Sequence, residues 1–289
     1  TMTSAMVALA SPSLGDMFAH PFMRYAFVAG TAVALAAGLV GYFLVLRAQV
    51  FTADALSHVA FTGALAALAA GLELRLGLFA VTVLVAVAMG ALGRRARPDD
   101  VVIGGVFAWI LGLGVFFLTL YTTQRSGGSS GQAGVSVLFG SILGIDGPDA
   151  AVTAAVAMAV CVAVVLIARP LLFASLDDTV AATQGVPVRT LGYAFLVLVA
   201  VTTAEATQVV GALLILGLLA APAGAAMRIT TRPLHALAIS AAIAVVSVWI
   251  GLAASYLTPS VPPSFAILAV ATFAYAASFG AGVRRTATA

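Results

Sequence analysis

The chain is written as long apolar runs separated by short polar joints. Runs of about 17 to 25 apolar residues are long enough to cross a bilayer as helices. Nine candidates meet that length: Tyr25–Leu46, Val50–Gly71, Leu76–Gly93, Val101–Tyr121, Asp149–Ala168, Leu191–Thr207, Val209–Met227, Leu234–Leu257 and Phe265–Val283. Only a tight joint around Gln208 divides the sixth from the seventh, so the expected count is eight or nine. A membrane barrel would instead show strands of roughly ten residues alternating in polarity. The pattern predicts an all-α, polytopic transmembrane helical bundle, with a lead-in over residues 1–24, one membrane domain over 25–285 and a tail over 286–289. Asp16, His20 and Pro21 interrupt the lead-in, which has no positive region ahead of its short apolar stretch and reads as interfacial.

Two joints are long. Thr122 to Pro148 opens with RSGGSSGQAG and turns apolar in VSVLFGSILGI. Those eleven apolar residues cannot span as a helix, so they are expected to pack at one surface or to re-enter against other helices. The joint over residues 169–190 reads RPLLFASLDDTVAATQGVPVRT. Asp177 or Asp178 can cap a short helix, Thr179–Gln184, which Gly185 and Pro187 would end. Such a helix serves either to dock a soluble partner or simply to close the joint. Pro222 is expected to kink its span, while Gly211, Gly217 and Gly224 allow close helix approach.

Composition agrees with the run lengths: 63% of residues are hydrophobic, only 8% are charged, and the mean hydropathy is +1.16. Every one of the 13 basic residues is Arg. If the spans alternate sides, Arg47, Arg94, Arg95, Arg97, Arg169, Arg189, Arg228, Arg232, Arg284 and Arg285 share one side, and Arg24, Arg75 and Arg125 the other. Ten against three is a strong positive-inside bias, which predicts a cytoplasmic C-terminus. The net charge of +3 is too small and dispersed for nucleic acid. A chain without lysine has no GxxxxGK[ST] loop, and it has no HExxH, so nucleotide hydrolysis or zinc-protease chemistry by this chain is not expected. Cys161, the single cysteine, reads as a buried apolar residue.

Candidate chemistry lies in the second span, in FTADALSHVAFTG. Asp54 and His58 stand four residues apart and share a helix face. Charge within a bilayer costs on the order of 2.5 to 3.5 kcal/mol on insertion scales and is retained mostly where it works. An oxygen and a nitrogen at this spacing suit a divalent cation, with Ser57 holding a water or orienting a ligand. Two ligands are few; a two-fold dimer about this helix would supply two Asp and two His. The same pair could relay protons, or Asp54 could cap the helix and His58 be a core residue. Glu205, near the end of the sixth span, is a weaker candidate as a secondary ligand or gate. Glu73, Asp99, Asp100, Asp146 and Asp149 fall at joints and are expected to be solvated or capping.

In order along the chain, PFMRYAFVAG, LRAQVFTADALSHVAFTGALAALAAG, PDDVVIGGVFA, VLFGSILGID, LDDTVAATQGVPVRTL and VVGALLILGLLAAPAGAAMR resemble the permease subunits of bacterial ABC-type zinc and manganese importers, the ABC-3 family. DALSH and GALLILGLLAAPAGAA are the most specific of these. The resemblance implies a multi-pass subunit of the bacterial cytoplasmic membrane, not itself an enzyme and holding no permanent cofactor, which carries Zn2+ or Mn2+, or iron, by alternating access. It implies as partners a second copy, cytoplasmic ATPase subunits and an extracytoplasmic metal-binding protein. Asp54 and His58 match the family's metal site, and Asp178, Ala181, Gly185 and Pro187 its ATPase-coupling segment. Glu205 departs from the family, which usually has an apolar residue there. The rivals are a proton-coupled secondary metal carrier using Asp54 and His58, and a non-transporting scaffold.

Overall fold

Helix caps and the first-turn prolines explain where most of the elements begin. The computed structural model describes residues 14–93, 97–124, 138–212 and 214–286. Their helices, in chain order, are α1 (Leu14–Met17), α2 (Pro21–Leu46), α3 (Val50–Ala69), α4 (Leu74–Leu92), α5 (Asp100–Gln124), α6 (Gly147–Leu176), α7 (Asp178–Thr183), α8 (Val188–Val209), α9 (Ile215–Ile229), α10 (Pro233–Leu257) and α11 (Pro263–Thr286). Proline opens α2, α10 and α11 and stands in the first turn of α6, where a missing N–H costs nothing. The Asp146 side chain caps α6 by accepting from Asp149 N at 3.2 Å, and Asp99 Oδ1 accepts from Val102 N at 2.9 Å at the start of α5. Eight of these helices are long and apolar enough to cross a membrane; α9, at 15 residues, is shorter.

Burial sorts the spans into a centre and a rim. In α2 and α3 the most apolar windows are 72% buried, whereas in α5 the figure is 17%. An apolar helix left exposed on most of its surface is one that meets lipid or another chain. Small residues let the central helices close on one another. A Cβ at Gly63 of α3 would stand 2.6 Å from the carbonyl oxygen of Gly77 of α4, and one at Gly38 of α2 2.6 Å from Ala241 Cα of α10. Both approaches are backbone to backbone and leave no room for a side chain.

Two expectations are corrected in position. The separation of α8 from α9 is not at Gln208: α8 runs on to Val209 and α9 begins at Ile215. Gly211, at φ +99°, turns the chain between them, and Gly140, at φ +77°, lies backbone to backbone against it. Ser141 N donates to Gln208 O at 3.1 Å, and Ser264 Oγ to Phe139 O at 2.8 Å, so the described part of VLFGSILGI is stitched to the end of α8 and the start of α11. It continues into a short 3-10 turn, Ile142–Gly144, with Ile142 buried against α2. Its earlier residues lie outside the described ones. Second, α6 does not stop at Ala168 but passes through Pro170 to Leu176. Leu171 and Ala174 are buried, and the packing of that last stretch outweighs the proline's tendency to end the helix.

Candidate metal path and coupling helix

On α3 nearly every residue from Thr52 to Leu65 is buried, and the exceptions are Asp54 and His58. With exposed Phe51 they fall at i, i+3 and i+7, one stripe along the helix. The Phe51 and Asp54 end of the stripe opens on a cleft of about 370 Å3 between α3 and α5, lined by Phe51, Asp54, Ala55, Asp100, Ile103, Gly104 and Phe107. The His58 ring stands edge-on to Phe107, with centroids 5.1 Å apart. Asp100, expected to be a solvated or capping joint residue, thus lies on the same cleft as Asp54. The hint was in the doubled acid of PDDVV: Asp99 supplies the cap for α5 and leaves Asp100 over.

Ser57 has another task. It is fully buried, and its Oγ lies 2.7 Å from Asp54 O and 3.1 Å from Ala212 O, so its one proton goes to carbonyls and not to the cleft. Ala212 belongs to the turn between α8 and α9. The hydroxyl therefore ties the turn of α3 that carries Asp54 to the break between α8 and α9.

Among the described residues no three His, Cys, Asp or Glu side chains gather closely enough to hold a metal ion. One chain thus offers an oxygen and a nitrogen on one helix face with a second carboxylate at the same cleft, a partial ligand set for a divalent cation.

The chain matches the model of the ABC 3 transport family over residues 19–281. It belongs to that family. The manganese transport system membrane protein MntC of Halalkalibacterium halodurans is 28% identical over 270 residues, spanning 91% of this chain and 88% of that protein. The chelated iron transport system membrane protein YfeD of Yersinia pestis is 29% identical over 245 residues, 84% of this chain and 80% of its own length. Among solved structures, PsaBC from Streptococcus pneumoniae in complex with Fab superposes with a TM-score of 0.79 at 25% identity, covering 92% of this chain and 94% of that one. This ABC 3 chain is accordingly a multi-pass membrane permease, and the proton-coupled carrier finds no support among its relatives.

The permease's other candidate residues fall in two places. Asp177, not Asp178, caps α7: its Oδ1 accepts from Thr179 N and Val180 N, both at 2.9 Å. Ala181 is fully buried, whereas Thr179, Val180 and Ala182 to Gly185 are exposed. Gly185 ends the element at φ +83°, the left-handed conformation expected of a helix-terminating glycine. A Cβ there would meet nothing within 4 Å, and Pro187 follows as the exposed N-cap of α8.

Glu205 lies apart from the cleft. It is 2% exposed on α8, close to Arg75, Asp149 and Thr153 at the opposite end of the bundle from Arg47. There Arg75 pairs with Asp149 at 2.8 Å and donates to Thr153 Oγ1 at 2.8 Å, joining α4 to α6. The Glu205 carboxylate is held near the Thr153 hydroxyl and the Arg75 guanidinium without a well-formed hydrogen bond to either oxygen.

Proposed function

We propose that this permease carries a divalent transition metal into the cytoplasm, with Asp54 and His58 as its transient ligands and ATP hydrolysed on a separate subunit. The observation that carries this reading is the single polar stripe on an otherwise buried helix, open to a cleft with Asp100 on its far wall. Manganese and iron are named for its relatives, and an Asp and His pair suits both as well as zinc. A transient site needs weak binding in at least one state, which an incomplete ligand set provides.

A second copy would complete that set. On α5, beside the cleft, Gly104, Ala108 and Gly112 are exposed at four-residue spacing, a small-residue stripe of the kind along which membrane helices pack closely. Packing two copies there would bring two clefts together. The exposed rim of α7 would face the ATPase, with the C-terminus on the same, arginine-rich, cytoplasmic side. An extracytoplasmic binding protein would deliver the metal from the opposite side.

The test is uptake of manganese, zinc and iron, alone and in competition, by proteoliposomes holding the permease with its ATPase and binding protein. Asp54→Ala and His58→Ala are expected to lose uptake while still assembling with the ATPase. Normal uptake in both would overturn the site, and uptake driven by a pH gradient without ATP would overturn the mechanism.

A further inference from the structure

The joint between α2 and α3, the joint before α5 and the start of α7 meet around a second pocket of about 520 Å3, lined by Arg47, Ala48, Gln49, Arg97, Pro98, Asp99, Asp178 and Thr179. Two of its polar side chains are deeply buried: Arg47 is 8% exposed and Gln49 4%. Arg47 Nε donates to Gln49 Oε1 at 3.1 Å, and its guanidinium lies over the Phe195 ring at 5.3 Å. Since Oε1 is taken, the amide nitrogen is what Gln49 has left to give, and it is buried without an acceptor. Arg97 Nε is buried without one too, although its other end reaches Ala174 O at 3.5 Å. The acidic side chains of the lining have local bonds: Asp99 to Val102 N, Asp178 to Thr179 Oγ1. The carboxylates of Asp99 and Asp178 keep further acceptor sites, but the buried groups of the pocket left unsatisfied are donors, Gln49 Nε2 and Arg97 Nε. An unsatisfied buried donor is costly, and a carboxylate is the acceptor that gains most from a guanidinium.

We propose that this pocket binds the carboxylate of an acidic side chain on the ATPase subunit. The inference rests on α7 as the ATPase-facing helix, and it adds a second, charged point of attachment beside it. Burial first, and then the like charge of Arg97, push Arg47 down to about 10 against the opposing pull of the Asp178 carboxylate, so it stays cationic at neutral pH and a further anion would favour that form. A phospholipid phosphate offers similar chemistry. However, the lining comes from chain joints and the start of α7, and no lipid-exposed mid-helix face contributes to it.

The test measures ATPase-subunit affinity for the full-length permease in phosphatidylcholine nanodiscs. Arg47→Gln and Arg97→Gln are expected to weaken binding by about tenfold or more. Gln49→Glu, which places a carboxylate where the incoming one would sit, should weaken it comparably, and it changes no shape if Arg47→Gln fails to fold. Gly185→Trp on the exposed end of α7 is the reference for docking itself. Wild-type affinity in Arg97→Gln and Gln49→Glu, with loss in Gly185→Trp, would overturn the pocket and leave the docking helix standing. Wild-type affinity in all of them, Gly185→Trp included, would remove the docking reading and the pocket with it. A defect seen only when the nanodiscs contain phosphatidylglycerol would assign the pocket to lipid and also overturn the proposal.

Discussion

Asp54 and Glu205 are both carboxylates carried on helices of the membrane region. Asp54 is half-buried on the cleft between α3 and α5, with His58 one turn on and Asp100 on the opposite wall; Glu205 is 2% exposed, beside Arg75, Asp149 and Thr153, with no well-formed hydrogen bond to either oxygen. Intramembrane charge is commonly taken as a mark of function. The pair differs in access: Asp54 opens on a cleft, whereas Glu205 is closed within the packed bundle.

The largest expected effect is at the open carboxylate. Asp54→Ala should lower the rate of metal uptake by at least about 100-fold, since loss of a ligand should exceed the 10- to 100-fold effect typical of losing its support. His58→Ala should follow closely, and a residual rate near wild type in either would erase the contrast with Glu205. Gly63→Ala lies on the same helix but acts through packing. Its methyl would press on the Gly77 backbone at 2.6 Å, and the expected destabilisation of about 1 to 3 kcal/mol can be read from unfolding in detergent. Asp100→Asn sharpens the comparison from the far wall of the cleft: uptake should fall by about three- to tenfold, with assembly intact. If it falls as far as in Asp54→Ala, Asp100 is a ligand of equal rank. The smallest effect on transport is expected at the sealed carboxylate. Glu205→Met should leave uptake within about twofold and raise stability by about 1 kcal/mol, because an apolar side chain of similar length replaces a deeply buried carboxyl without a well-formed hydrogen bond. Loss of uptake in that variant would break the comparison outright.

Much of the architecture was legible because hydrophobic length in a bilayer is a local property. Each span can be read from its own residues, with no knowledge of its neighbours. Caps were legible for the same reason: Asp177 and Gly185 bracket α7 within a few residues of each other. The break between α8 and α9 was harder to place. It is decided by Gly140 and Gly211 meeting across about 70 residues of sequence, and pattern alone does not register such a contact. The run-on of α6 past Pro170 is another case, since the burial of Leu171 and Ala174 depends on what lies beside them.

The candidate site divides in the same way. By itself the sequence determined a helical membrane bundle, the shared face of Asp54 and His58, and the short capped helix between two spans, because spacing along a helix and the cost of charge in lipid are set by the chain alone. Only the tertiary structure decided that Ser57 turns to carbonyls, that Asp100 joins the cleft, that Glu205 is sealed away, and that Arg47, Gln49 and Arg97 surround one pocket. Those outcomes depend on which helix stands opposite which, and on which buried donors find an acceptor there.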